Sequence, residues 1–136
     1  MKLLMVFADS ITYTPRIKNL EWTEEKNDTE TFENILVAFI QVEEKDMQDM
    51  KKAETNLVKN LKWGARKNNT KKILLHSFAH LSESKATPEF TKQLLDNAQQ
   101  RLNNADYLAY QSPFGYFLDI SIQCPGKSLA RVFKSF

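Results

Sequence analysis

The run Ile35-Leu36-Val37-Ala38-Phe39-Ile40-Gln41-Val42 constrains the fold of this chain more than any other segment. Apart from Gln41 it is apolar at consecutive positions. A strand with one wet face alternates, so a strand without alternation has to be covered on both sides. The run therefore reads as a central strand over residues 34–42, and a central strand needs neighbours in the sheet and a layer packed on it.

Candidates for that layer follow. Met47, Met50, Leu57, Leu61 and Ala65 recur at helical spacing after Asp46, a residue type suited to an N-cap, and predict a helix to about residue 67. Thr87-Pro88 has the order of an N-cap and a first helical residue. Phe90, Leu94, Leu95, Ala98 and Leu102 then mark the buried face of a second helix ending near Asn104.

Further strands are expected at Leu3–Ala8, closed by Asp9 and Ser10, at Ile73–Leu75 running into His76, at Asp106–Tyr110 and at Tyr116–Cys124. The last alternates: Phe117, Asp119, Ser121 and Gln123 face one way, Leu118, Ile120, Ile122 and Cys124 the other. Ile11–Leu20 reads as an exposed edge hairpin limited by Pro15, 21–31 as a polar surface loop, and 128–136 as the start of a final helix. Alternating strands and helices with hairpin-like ends predict an α/β fold: a mixed β-sheet with two main helices.

Composition limits the function. The chain has 136 residues, a size typical of one domain, and a formal net charge of +2, too small for wholesale phosphate binding. The basic group Lys59, Lys62, Arg66, Lys67, Lys71 and Lys72 reads as a solvated helix end. One cysteine and two histidines do not make a zinc set, so no metal is expected. Cys124, in an apolar alternating run, reads as a structural thiol, which fits a reducing compartment. The opening apolar run is too short for a signal peptide, and no stretch approaches the roughly 20 apolar residues of a membrane span.

Two segments at strand ends carry the chemistry. Ser77-Phe78-Ala79-His80-Leu81-Ser82 places His80 about four residues beyond a buried strand. An imidazole there can act as a general base, bond a ribose hydroxyl or orient a water, or simply cap a turn. In Ser112-Pro113-Phe114-Gly115-Tyr116, proline fixes one backbone dihedral and glycine frees another. Such a turn can aim N–H groups at a ligand, with Tyr116 and Phe117 available to stack on a base or ribose, or it can be a plain hairpin. Glycine-rich phosphate loops and a GxSxG elbow are absent.

The run Ile35–Glu43, the segment Phe78-Ala79-His80-Leu81-Ser82 and the stretch from Pro113-Phe114-Gly115-Tyr116 through Cys124-Pro125-Gly126-Lys127-Ser128-Leu129-Ala130 occur in that order. Together they resemble the archaeal N-terminal editing domain of threonyl-tRNA synthetase, over essentially all of residues 1–136. The resemblance implies a fold similar to the D-aminoacyl-tRNA deacylases and hydrolysis of serine wrongly esterified to threonine tRNA. It also implies homodimers, a cytoplasmic setting, no cofactor in this domain, and no membrane or DNA partner. Zinc, ATP and threonine would belong to a synthetase catalytic domain outside these residues.

Carried over by position, His80 matches the family's pocket histidine. Phe78 and Ala79 match the adjoining backbone that holds the terminal adenosine and amino acid, and Pro113 to Tyr116 match the opposite wall. Two positions depart. The family's functional lysine falls on Leu118, and its functional glutamate, in the final helix, falls on Arg131. Leu118 cannot donate a hydrogen bond and Arg131 reverses a charge. Three readings follow: a hydrolase for mischarged seryl-tRNA, a degenerate module kept for tRNA binding or structure, and a deacylase for D-amino acids.

Overall fold

A computed structural model describes residues 1–136. Six strands form one sheet: β1 (Lys2–Lys18), β2 (Glu30–Gln41), β3 (Lys72–Ser77), β4 (Leu108–Gln111), β5 (Tyr116–Gln123) and β6 (Arg131–Ser135). The order is β4-β3-β2-β1-β5, with β6 also paired to β1. Strands β2, β3 and β4 run parallel, and β1 is antiparallel to β2, β5 and β6. The sheet is therefore mixed. Its parallel part is linked by α1 (Met50–Lys67) and α2 (Pro88–Asn104), the connections parallel pairing requires.

Both helices cover one face. Leu57, Leu61, Leu94, Leu95, Ala98 and Leu102 pack there against Leu3, Met5, Leu36, Ala38, Ile40 and Leu75. Gly64 lets α1 approach closely, since a Cβ there would lie 2.7 Å from the Met5 sulfur. The other face of β2 is also buried, as its sequence demands, but the sheet covers itself: Ala8, Ile11, Tyr13, Ile35, Val37 and Leu74 form a second cluster, with Phe32, Phe39, Tyr110 and Leu118 against it.

β1 does not stop at Asp9 and Ser10. It continues to Lys18, paired to β2 along one side and, on the other, to β6 over Lys2–Val6 and to β5 over Ser10–Lys18. The polar pair marks a change of phase rather than a turn. Asn34, across from Asp9, has φ 52°, a conformation asparagine tolerates. Ala8 and Ile11 on one strand, and Ile35 and Phe32 on the other, share a face although three residues apart. Both strands slip together, so the pairing holds while the inward residues change sides. Ile11–Lys18 is accordingly the second half of β1, between β2 and β5 as far as Tyr13 and paired to β5 on to Lys18, and not an edge hairpin.

The final helix expected from Ser128 is not formed. Residues 131–135 make strand β6, with Met5 opposite Val132 and Leu3 opposite Lys134. Exposure alternates along it, Val132 and Lys134 half-buried between exposed neighbours, and a short stretch of period two is easily taken for a helix start. Asp46 is likewise not the cap of α1. It lies in a single 3-10 turn, Glu44–Gln48, where its carboxylate accepts from the Glu43 amide (2.8 Å) and faces the Met1 ammonium (3.2 Å). Asp49 caps α1 instead, accepting from Lys52 N at 3.1 Å. Thr87 and Pro88 open α2 as their types predict, with Phe90 N donating to Thr87 Oγ1 at 3.2 Å. No helix is long and apolar enough to cross a membrane.

Candidate functional site

The parallel strands β2, β3 and β4 end on one side of the sheet, and the segments that follow β3 and β4 line a crevice outside those carboxyl ends, the usual place for a ligand in an open α/β sheet. Here it is a cleft of about 490 Å³, within the range of small-molecule sites. Its base carries Ile40, Gln41, Val42 and His76. One wall is Ser77–His80 with Lys85, Ala86 and the first turn of α2, and the other is Pro113–Leu118 with Ile120.

The first wall is a loop fastened at three points. Phe78 N donates to Ile40 O (2.9 Å), continuing the ladder one residue past β3, and Ala86 N donates to Val42 O (2.9 Å). Between them Gln41, only 3% exposed, does the holding. Its Oε1 accepts from Leu81 N (2.6 Å) and Ser82 N (2.8 Å), and its Nε2 donates to Ser82 O (2.7 Å) and Ser84 O (2.9 Å). The polar residue that interrupts the apolar strand is thus a clamp on the histidine-bearing loop. Ser82 Oγ also donates to Glu43 at 2.7 Å. Burial alone would push the Glu43 carboxyl up. Hydrogen bonds from the Met1 ammonium and Ser82, with the charges of Met1 and Lys2, outweigh it and hold the pKa down at about 2. Within this fastened loop, the amide N–H groups of Ala79 and His80 donate to no acceptor in the chain.

The second wall turns on Gly115, whose φ of +83° a side chain would resist. A Cβ there would also lie 2.9 Å from Thr23 and 3.0 Å from Leu20. Asn19 N donates to Gly115 O at 2.7 Å, tying this wall to the end of β1. The Tyr116 hydroxyl accepts from Lys26 N and donates to Glu24 O, both at 3.0 Å, so the polar segment after β1 is pinned to the same wall.

Two histidines line the cleft in different states. His76 is buried on β3, its Nδ1 2.7 Å from Ser112 Oγ and its ring edge-on to Phe39. Burial pushes its pKa down to about 4, so it is neutral at physiological pH. It is a satisfied, half-structural residue, as its place in a strand suggests. His80 is exposed at the rim, T-shaped against Phe78 with centroids 5.0 Å apart. Lys85 is the only lysine or arginine on the lining, and no Asp or Glu lies there. With no carboxylate on the lining to orient an imidazole, no serine or cysteine paired with His80, and the serine that pairs with His76 buried and off the lining, the site is not arranged for a covalent nucleophile. It offers apolar walls, aromatic faces, free amide donors and one exposed imidazole at the rim.

Phe78, Ala79, His80, Pro113, Phe114, Gly115, Tyr116, Phe117 and Leu118 all line this one cleft. Arg131 does not. It is exposed on β6 opposite Val6. Nor do the polar residues near Leu118 reach in: Asp119 pairs with Arg16, and Lys127 Nζ lies 4.9 Å from the Phe7 ring centre. Cys124 sits away from the cleft with its sulfur near Ala130 O. Gln41 and Lys85 carry no local signal of their place here. Only the topology brings them to it.

A family model described as the archaea-specific editing domain of threonyl-tRNA synthetase matches residues 1–136. Threonine–tRNA ligases are similar along nearly the whole chain. That of Nitrosopumilus maritimus is 33% identical over 132 residues, covering 96% of this chain and 20% of the relative. That of Thermofilum pendens is 30% identical over 136 residues, covering 97% and 22%. The chain thus spans about a fifth of the length of these relatives. Among solved structures, the c-Myc DNA Unwinding Element Binding Protein superposes with a TM-score of 0.69 at 12% identity, covering 100% of this chain and 99% of that one. That likeness speaks to the fold alone: a curled mixed sheet with two helices, of the D-aminoacyl-tRNA deacylase-like kind.

Proposed function

Because the chain belongs to the archaea-specific editing-domain family of threonyl-tRNA synthetase, we propose that its cleft receives the aminoacylated 3′ end of threonine tRNA and hydrolyses the ester when the amino acid is serine. The observation that carries this reading is the strand-end cleft walled by the Phe78–His80 loop and the Pro113–Tyr116 turn. A synthetic site built for threonine discriminates poorly against serine, which lacks one methyl group worth about 1–3 kcal/mol, and a second hydrolytic site restores accuracy.

In this reading the aromatic and apolar walls hold the terminal adenosine. The free amides of Ala79 and His80 are donors for the ester carbonyl as it gains negative charge. His80, at the rim, bonds the ribose hydroxyl or the attacking water. Water adds to the ester carbon, the bond to the ribose oxygen breaks, and that oxygen takes up a proton. Serine and uncharged tRNA leave. No cofactor is needed, and the reaction belongs in the cytoplasm, where charged tRNA is used. The domain works as one module beside a synthetase, fused or separate.

The outer edge of β5 supports a homodimer. It ends the sheet order and carries exposed Phe117, Ile120 and Ile122, and an open edge with apolar residues invites a second copy. A second reading, a domain that binds tRNA without hydrolysing it, is favoured by one observation: Leu118, with no polar group, sits on the cleft wall. A third, hydrolysis of D-aminoacyl esters, rests on the fold alone.

The test is ester loss from serine-charged and threonine-charged threonine tRNA. The proposal expects serine release above the spontaneous rate and little threonine release. Binding without release of serine would overturn it in favour of the second reading. Leu118→Lys would then restore the rate, whereas Arg131→Glu, outside the cleft, would not.

A further inference from the structure

A second cleft, of about 430 Å³, adjoins the first and shares Pro113 and Phe114 with it. Its most conspicuous group is Trp22, 51% exposed on the turn after β1. One exposed ring is ordinary by itself; what sets Trp22 apart is that a built turn holds it beside another aromatic on a cleft lining. The turn that presents it is built firmly. Thr23 Oγ1 donates to Leu20 O at 2.9 Å, and Thr23 packs against Gly115, where a Cβ would lie 2.9 Å away. The indole ring centre is 6.0 Å from that of Phe114, tilted by 40°. Lys92, from α2, brings its Nζ to 5.9 Å from the same Phe114 ring. Phe114 therefore stands between the two clefts, with an exposed indole and an ammonium on the far cleft's lining.

We propose that this second cleft takes the nucleotide preceding the terminal adenosine, its base stacked on Trp22 and the phosphate that joins it to the adenosine near Lys92. The inference rests on the reading that the first cleft takes the terminal adenosine. Aromatic shelves beside cationic side chains are how single-stranded nucleic acid is held without sequence readout. Three carboxylates and two lysines line this cleft, and the carboxylates are already engaged. Glu24 pairs with Lys26 at 3.3 Å, Glu30 accepts from the Tyr13 hydroxyl at 2.9 Å, and Asp96 is held by Lys92 and by Gln111, each at 2.7 Å. With Lys92 already partnered, stacking supplies most of the affinity and the salt dependence is shallow.

The experiment compares two non-hydrolysable probes on the full chain: 3′-serylamino-adenosine, and the same group on the dinucleotide cytidylyl-adenosine. Calorimetric titration gives the affinity of every variant, and Trp22 fluorescence in a Trp63→Phe background, which removes the other indole, reports contact at Trp22 itself. Stacking of one base predicts that the dinucleotide binds about 5- to 100-fold tighter, with quenching that the single adenosine does not cause. Trp22→Ala is expected to reduce the dinucleotide's affinity to that of the adenosine probe, and Trp22→Phe to keep part of the gain. Equal affinities for the two probes, or a gain that survives Trp22→Ala, would overturn the second site and leave the first standing. Failure of both probes to bind would overturn the first cleft's reading and this inference with it.

Discussion

Replacing Gln41 with methionine tests how the cleft is held open. The two side chains are close in length and volume, so the buried space stays filled. The amide makes four hydrogen bonds of 2.6–2.9 Å to the backbone of Leu81, Ser82 and Ser84. At about 1 kcal/mol net each, their loss costs about 4 kcal/mol if the loop stays in place. The loop can instead swing out and satisfy its groups with water. Global stability should then fall by roughly 2–3 kcal/mol, with the remainder seen as local opening. Urea unfolding measures the first part. Hydrogen exchange at the Leu81 and Ser82 amides measures the second, with protection expected to drop up to about 10³-fold, the equivalent of 4 kcal/mol. Affinity for an aminoacyl-adenosine probe should fall in parallel, because Phe78–His80 lose their anchor. Unchanged exchange at both amides with an unchanged unfolding midpoint would refute the clamp.

Three further outcomes follow. Acid should destabilise the fold in two steps. Because the His76 pKa is lowered from 6.5 to about 4, the unfolded chain binds the extra proton first, so about 3 kcal/mol is lost as pH falls from 6.5 to 4. The Glu43 pKa, lowered from 4.5 to about 2, adds a similar loss between those values; calorimetry at stepped pH reads both, and His76→Asn should flatten the upper step. Gly115→Ala should cost about 2 kcal/mol from its +83° φ and the clash with Thr23, read as a lower unfolding midpoint. His80→Ala should slow ester hydrolysis by about 10²-fold or more while the melting temperature holds; a large drop in melting temperature at intact rate would make His80 a turn residue only.

How legible these features are depends on whether they are local. Strand β2, the buried faces of both helices apart from Met47, which is exposed in the 3-10 turn before α1, and the Thr87-Pro88 start of α2 follow from spacing and residue type within a few positions. The site's two walls are readable for the same reason, since Pro113-Phe114-Gly115 and Phe78-Ala79-His80 are each contiguous. Asp9 and Ser10 mislead because a coordinated slip of two strands looks, in one strand, like a turn. Strand β6 misleads because five alternating residues are too few to separate a period of 2 from 3.6, and its partner, Lys2–Val6, lies at the other end of the chain. Gln41 reads as a blemish in an apolar run until the loop some forty residues on is folded against it. Lys85 and Trp22 owe their places to topology and to no pattern around them.

The central claim is that one cleft, between the Phe78–His80 loop and the Pro113–Tyr116 turn, receives the aminoacylated terminal adenosine. Amide chemical shifts during titration with 3′-serylamino-adenosine test it most directly. The account predicts saturable shifts concentrated at Ala79, His80, Phe114 and Gly115, with little change on the outer faces of α1 and α2. Saturable binding with shifts centred elsewhere, and none at those four amides, would contradict it.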